Sequence, residues 1–208
     1  MLFRSATISS GGSQTYTAEK RDLYDNGLGD ATSSTTFSIS PNGSCTGATC
    51  TATLSGSHTV TGTLSGKTGT ATLTVGAGGL DHIVISPSSA TIAAGGSQSY
   101  TAQGYDAANN SLGDVTSSTT FSIAPDGSCT GASCTATAAG SHTVVGDNAG
   151  KTSSASLTVT AGSLDHLVLS PASATISSGG SQTYTAEKRD LYDNGLGEDR
   201  KSTRLNSS

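Results

Sequence analysis

The sequence contains few large hydrophobic side chains and few charged ones. Its 208 residues include no tryptophan and one methionine, while aromatic residues make up 4% and charged residues 12%. No stretch approaches the roughly 18 consecutive apolar residues of a membrane-spanning helix, and none keeps a helical period. A composition with 33% hydrophobic residues is also compatible with disorder, so the order of the residues decides the class of structure.

The sequence repeats with a period of 84 residues. The segment LDHIVISP at 80–87 returns as LDHLVLSP at 164–171, and residues 5–29 are identical to residues 173–197, two periods later. This period exceeds the roughly 20–45 residues of a solenoid repeat and suits one small β-sandwich. We predict a first repeat at 5–79 that lacks its opening strand, a complete second repeat at 80–163, and the N-terminal part of a third at 164–197. We expect neither incomplete repeat to bury a full core alone.

Both ends of the chain depart from the repeat. Residues 198–208, EDRKSTRLNSS, match the in-frame translation of a short sequencing adapter, and residues 1–4 match the opposite adapter strand. We interpret both stretches as adapter-derived and exclude them from the fold prediction. Their exclusion removes four of ten basic and two of fifteen acidic residues, so the net charge changes from −5 to −7. This acidic balance argues against nucleic acid or an anionic membrane as partner.

Short alternating and β-branched runs between Gly, Pro, Asn and Asp turn signals indicate an all-β sandwich. In the second repeat we predict strands at 82–86, 97–105, 119–123, 142–145 and 154–159, with residues 90–92 switching to the other sheet and a polar loop at 106–114. Alternation of side chains gives the core candidates Ile83, Ile85, Ile92, Tyr100, Phe121, Ile123, Val144, Leu157 and Val159.

Each of the first two repeats carries a C-x4-C pair, Cys45 with Cys50 and Cys129 with Cys134. A hairpin between two cysteines would place them opposite each other, within disulfide range, and the closed loop would stabilise the fold by about 2 kcal/mol. The alternatives are free buried thiols or a metal site, which would need two further ligands. An even number of cysteines in a Ser/Thr-rich β chain favours an oxidising, extracellular compartment.

The ordered segments LDHIVISP, ATIAAGGSQSYTAQGYD, NSLGDVTSSTTFSI, PDGSCTGASCTA, AGSHTVVG and AGKTSSASLTV resemble a bacterial immunoglobulin-like (Big-type) repeat, as found in invasin- and intimin-like surface proteins. The resemblance covers residues 6–197. It implies tandem immunoglobulin-like β-sandwich modules that serve as spacers, stalks, ligand-binding tips or accessory domains. The local cysteine pair differs from the intersheet disulfide of antibody domains, so antibody-like recognition is not implied.

The four histidines recur once per repeat, His58 with His142 and His82 with His166. A catalytic histidine needs a nucleophile and an orienting acid, and the sequence has neither a G-x-S-x-G motif nor a paired-carboxylate pattern. We therefore predict that the chain is not an enzyme and needs no cofactor.

Three loop features remain as candidate binding positions. Asp and Asn side chains in the loops offer oxygens for calcium, but they are more often turn formers, and no EF-hand spacing is present. Residues 19–24, EKRDLY, are replaced by QGYDAA at 103–108, which is either a recognition surface or neutral drift. The triplet at Asn42 fits a glycosylation sequon and also a turn. The calcium candidates are Asp25, Asn26, Asp30, Asp106, Asn109, Asn110 and Asp114.

These patterns lead us to predict a stalk or adhesive repeat region of a large bacterial extracellular or cell-surface protein. Its partner would be an unidentified protein or carbohydrate, its modules would be monomeric, and no part of residues 5–197 would insert into a membrane. The alternatives are accessory modules of a secreted polysaccharide-active enzyme and decorative domains of a phage structural protein.

Overall fold

The computed structural model of the protein describes residues 4–199. Most of the stretches predicted to be adapter-derived, 1–4 and 198–208, therefore lie outside the described residues. Within 4–199 the regular structure is β strand, apart from two 3₁₀ turns at Thr32–Ser34 and Thr116–Ser118. The predicted all-β class is confirmed. The first nine strands are β1 Ala6–Ser9, β2 Ser13–Thr15, β3 Glu19–Arg21, β4 Gly27–Asp30, β5 Thr36–Ser40, β6 Ser44–Thr46, β7 Thr49–Thr51, β8 Gly56–Leu64 and β9 Lys67–Gly76.

The second repeat contributes ten strands and the third contributes three. They are β10 His82–Ser86, β11 Ser89–Ala93, β12 Ser97–Ser99, β13 Thr101–Tyr105, β14 Ser111–Asp114, β15 Thr120–Ala124, β16 Ser128–Thr130, β17 Ser133–Thr135, β18 Gly140–Asn148, β19 Lys151–Thr160, β20 His166–Ser170, β21 Thr185–Arg189 and β22 Gly195–Asp199. Strand β22 includes positions 198 and 199, the first two residues of the tail that we interpret as adapter-derived.

The strand order is that of an immunoglobulin-like β-sandwich. In the second repeat one sheet has the order β11-β19-β18-β15, and two smaller sheets have the orders β12-β17-β16 and β10-β13-β14. The opening segment therefore contributes to two sheets, because β10 lies in one and β11 pairs in parallel with β19 in another. The predicted switch at 90–92 is confirmed. The first repeat has the same order, β1-β9-β8-β5 and β2-β7-β6, and β8 and β18 begin 84 residues apart.

Several predicted strand limits are wrong. The strand predicted at 97–105 divides at Tyr100 into β12 and β13, which belong to different sheets. The predicted polar loop contains β14, which pairs with β13 through Gln103 and Asp114. Strands β18 and β19 are longer than predicted because a two-residue turn joins them. Both turn residues, Ala149 and Gly150, have positive φ, as the type I′ hairpin turn requires.

The core of the second repeat follows the predicted alternation. Seven of the nine core candidates are buried, and only Ile92 and Ile123 are half-buried. Ile92 lies on β11, which forms the edge of its sheet, so one side of it stays open. The first repeat also buries a core, around Tyr16, Phe37, Val60 and Leu73, although it lacks the opening strand. The expectation that it would bury no full core alone stays a prediction, because Gln103–Asp114 of the second repeat belong to the same unit.

The described chain divides into two compact units. One consists of the residues up to Ile83 together with Gln103–Asp114, and the other of Val84–Ala102 together with the residues from Val115 onward. The β13–β14 hairpin of the second repeat thus belongs to the same unit as the first repeat. Likewise, the β21–β22 hairpin of the third repeat belongs to the same unit as most of the second. The predicted module boundaries at 79 and 163 stay a prediction. In the described residues no helix is long and apolar enough to cross a membrane.

Candidate functional site

An aspartate and an asparagine four residues apart shape the tip of the β13–β14 hairpin. The carboxylate of Asp106 accepts hydrogen bonds from the backbone N–H groups of Ala108 at 2.9 Å and Asn110 at 2.8 Å. It also accepts one from the Asn110 side-chain amide at 2.8 Å. Both side chains are almost fully buried, with exposed fractions of 2% and 3%. We call residues 106–110 and their counterparts 22–26 and 190–194 the Asp–Asn loops.

In the first unit this Asp–Asn loop binds backbone groups of the first repeat. The Asn110 amide donates to the Thr53 carbonyl at 2.7 Å, and its oxygen accepts the Ser55 N–H at 2.7 Å. The Asp106 carboxylate accepts the N–H of Gly78 at 2.7 Å. A Cβ at position 78 would lie 3.3 Å from that carboxylate, so glycine allows the close approach. Two side chains thereby join the hairpin to two loops that lie far from it in sequence.

The second unit repeats these contacts one period later. The Asn194 amide donates to the Thr137 carbonyl at 2.8 Å, and its oxygen accepts the Ala139 N–H at 2.6 Å. Asp190, which is 1% exposed, accepts the Gly162 N–H at 2.7 Å. We call each set of contacts between an Asp–Asn loop and the preceding repeat a joint. Since the partners in both joints are mainly backbone groups, Ala139 can take the place that Ser55 has in the first joint.

The hydrogen bonds keep both buried aspartates ionised. Hydrogen bonds from Asn110, together with those from Gly78 and Ala108, hold the pKa of Asp106 far below its ordinary value, although burial opposes this. For Asp190 burial acts to raise the pKa, but hydrogen bonds from Asn194 and Gly162 outweigh it and lower the pKa to about 2. Each carboxylate is thus charged at any pH above the strongly acidic range and accepts several N–H groups.

The Asp–Asn loop of the first repeat has the same internal hydrogen bonds but is exposed. Asp22 accepts the N–H of Tyr24 at 2.9 Å and of Asn26 at 2.8 Å, and it also accepts the Asn26 side-chain amide at 2.8 Å. Both side chains are exposed, whereas their counterparts Asp106 and Asn110 are buried. The loop therefore adopts its conformation without contacts from a preceding repeat, which makes it a preorganised surface.

The cysteines lie on the short hairpins β6–β7 and β16–β17. Cys45 is the register partner of Cys50, and Cys129 that of Cys134, with Cα atoms 4.0 Å apart in each pair. Each pair forms a disulfide, and the second cysteine of each is fully buried. Because β7 and β17 also pair with β2 and β12, each disulfide lies beside the core.

Each histidine has an acidic or backbone neighbour. His82 and His166 hydrogen-bond the aspartate that precedes them, at 3.2 and 3.0 Å. His142 is buried against Asp126, and this hydrogen bond lowers the pKa of the carboxyl group. In the first repeat Asn42 replaces that aspartate, and His58 Nε2 has no hydrogen-bond partner among residues 4–199.

The loop oxygens considered for calcium are used largely by local N–H groups. Asp30 accepts the backbone and hydroxyl hydrogens of Thr32. Asn42, considered as a glycosylation sequon or a turn residue, accepts the N–H groups of Thr53 and Leu54 with its side-chain oxygen. Among the described residues, no three His, Cys, Asp or Glu side chains lie close enough to share a metal ion.

From the sequence, Asp106 and Asn110 are expected to be turn formers or calcium ligands, and their role in joining repeats is apparent only in the structure. The available signal was the D-x-x-x-N spacing, which recurs at 22–26, 106–110 and 190–194 while the residues inside it change.

No family model matches the chain, and no curated protein sequence matches it. Among solved structures the chain is similar to FdeC, an adhesin of Escherichia coli, with 20% identity over 89% of this chain and 71% of that one, at a TM-score of 0.48. It is also similar to domains 4–9 of the surface-layer protein SbsC, with 20% identity over 92% of this chain and 33% of that one, at 0.32. It is similar to cadherin domains 1–4 of protocadherin gamma B7 as well, with 14% identity over 90% of this chain and 59% of that one, at a TM-score of 0.42.

Likenesses at these identities and TM-scores carry no inference about function. The immunoglobulin-like assignment rests on the strand order and register of this chain, and its resemblance to Big-type repeats stays a prediction.

Proposed function

We propose that the chain is a stalk or spacer region of a large bacterial protein that works outside the cell, with repeats joined end to end. The observation that carries the proposal is the recurrence of the same Asp–Asn contacts in both units. In each unit the hairpin of one repeat binds loops of the repeat before it through a buried, hydrogen-bonded pair. Repeat architectures depend on such nearest-neighbour contacts.

The disulfides support an extracellular location. The chain forms two disulfides and has few large apolar side chains. This suits an oxidising compartment, because cytosolic reductants keep most thiols reduced. The chain's 27 glycines and 4% aromatic residues leave a thin core that benefits from such cross-links. We propose a cell-surface or secreted location on this basis.

A non-catalytic role agrees with the arrangement of the polar side chains. The buried carboxylates of Asp106 and Asp190 are saturated with N–H donors, and each histidine–aspartate pair stands without a neighbouring nucleophile among the hydrogen bonds of the described residues. Adhesion to a protein or carbohydrate would then belong to other surfaces of the parent protein or to the outer faces of these repeats.

The complete reading frame tests the proposal. We expect a secretion signal, further 84-residue copies and an anchoring domain. Antibodies raised against the chain should then label intact cells of the source bacterium. A catalytic domain beside only two or three copies would instead make the repeats the spacer of a secreted enzyme. Neighbouring capsid or tail genes would assign them to a phage particle, and either result contradicts the cell-surface stalk.

A further inference from the structure

The two joints described above use different side chains around the same Asp–Asn hydrogen bonds. In the first unit the Ser10 hydroxyl donates to the Thr53 carbonyl at 2.6 Å and accepts the Asn110 amide at 3.2 Å. The first two residues inside this Asp–Asn loop are Ala107 and Ala108. This joint therefore combines a serine in the Ser-Ser-Gly-Gly turn with small loop side chains.

In the second unit both the turn and the loop carry other side chains than in the first. Ala94 replaces the serine, so the turn reads Ala-Ala-Gly-Gly, and the loop carries Leu191 and Tyr192 in place of the two alanines. The Tyr192 ring lies over the turn so closely that a Cβ at Gly95 would collide with it. Ala94, Leu191 and Tyr192 line one pocket together with Leu164. Here a small apolar turn accommodates large loop side chains.

The first repeat carries the same Leu-Tyr loop, and there both side chains are exposed among residues 4–199. Residues 5–29 and 173–197 are identical, so the two copies differ only in surroundings. Tyr24 is 83% exposed against 44% for Tyr192, and Leu23 is 92% exposed against 70% for Leu191. The same loop sequence therefore contacts the turn of a preceding repeat at 190–194 and is exposed at 22–26.

We propose that the exposed Asp–Asn loop at 22–26 is a docking surface for the end of a repeat of the second type, with its Ala-Ala-Gly-Gly turn. The occupied copy at 190–194 shows the chemistry of this partner: a backbone carbonyl and N–H for the asparagine, a glycine N–H for the aspartate, and an alanine turn beneath the tyrosine.

A turn of the first type fits this loop less well. Its serine hydroxyl takes part in hydrogen bonds in the first unit, and burial beneath a tyrosine ring would cost part of that hydrogen bonding. The two turn types and two loop types would therefore alternate along an array. This pairing holds whether or not the array serves as a stalk.

Hydroxyl-radical labelling of an extended chain tests the proposal. In that chain a copy of residues 80–172 replaces residues 1–4, which recreates the native junction because residues 173–197 equal 5–29. Trypsin cleaves after Arg21 and Arg189, so Tyr24 and Tyr192 fall in peptides of different mass. In the original chain we expect Tyr24 to react roughly twice as fast as Tyr192, in proportion to their exposed fractions of 83% and 44%. In the extended chain the ratio should fall to about one.

The matched control carries Ala93→Ser and Ala94→Ser in the inserted copy only, and there the ratio should fall less than in the alanine extension. Tyr100 and its inserted counterpart report folding, since Tyr100 is 1% exposed and should stay unlabelled. A ratio that stays near two in the alanine extension would overturn the docking surface. A ratio that falls to about one in both extensions would overturn the pairing of turn and loop types. Neither outcome bears on where the parent protein works, which the reading frame decides.

Discussion

The substitution Asn110→Ala should weaken the joint in the first unit by a measurable amount. The side chain donates to Thr53 and Asp106 and accepts from Ser55, all within 2.7–2.8 Å and almost fully buried. A net contribution of about 1 kcal/mol for each hydrogen bond gives about 3 kcal/mol. The alanine would also leave the Ser55 N–H without its acceptor.

Urea unfolding of the full chain measures this loss, and hydrogen exchange at the Ser55 amide locates it. The control is Asn26→Ala, because Asn26 is the equivalent residue in an exposed loop and its side chain donates only to Asp22 among the hydrogen bonds of the described residues. We expect the control to cost about 0.5 kcal/mol and to leave Ser55 protected. Equal losses for the two variants, or unchanged exchange at Ser55 in Asn110→Ala, would refute the joint.

Three further predictions concern the glycine at position 127, the titration of Asp190 and the disulfides. In urea unfolding, Gly127→Ala should destabilise the chain by more than about 2 kcal/mol, because its φ is +108° and a Cβ would collide with the Thr135 carbonyl. The control Gly131→Ala should cost about 1 kcal/mol, because its φ is +57° and a Cβ there would meet no atom within 4 Å. The Asp190 carboxyl should titrate by NMR at a pKa of about 2, below its unfolded value near 3.8. Its contribution to stability is then full above pH 4 and is lost as the pH falls toward 2, and an ordinary pKa would contradict this. Protein purified from an oxidising compartment should contain no titratable thiol before reduction and four after it, and two native thiols would contradict the disulfides.

Much of the sheet structure could be predicted because alternation of side chains is a local signal. The predicted strand at 82–86 coincides with β10, and Ile83 and Ile85 are buried as expected. The division at Tyr100 could not be predicted, because the alternation continues through it while the backbone passes from one sheet to another. The ends of β18 and β19 were missed since their outward residues are Ser, Thr and Asp, which also suit loops.

The joint between repeats was hidden for a different reason. Asp106 binds Gly78, 28 residues away, and Asn110 binds Ser55, 55 residues away, so no local pattern connects them. The loop and turn residues do change together between repeats, but two examples in a single sequence do not separate a paired change from drift. Only contacts in three dimensions distinguish an aspartate that shapes a turn from one that also binds the preceding repeat.

Small-angle X-ray scattering from lengthened chains tests the stalk most directly. One, two and three additional copies of the two-repeat unit 5–172 would be inserted after residue 172, which preserves every junction because residues 5–29 equal residues 173–197. We expect the maximum dimension to grow by a constant amount of about 30–40 Å per repeat, or about 60–80 Å per two-repeat copy, set by a ten-residue strand at about 3.3 Å per residue. Growth that falls off with each added copy, as in repeats that collapse on one another, would contradict the stalk.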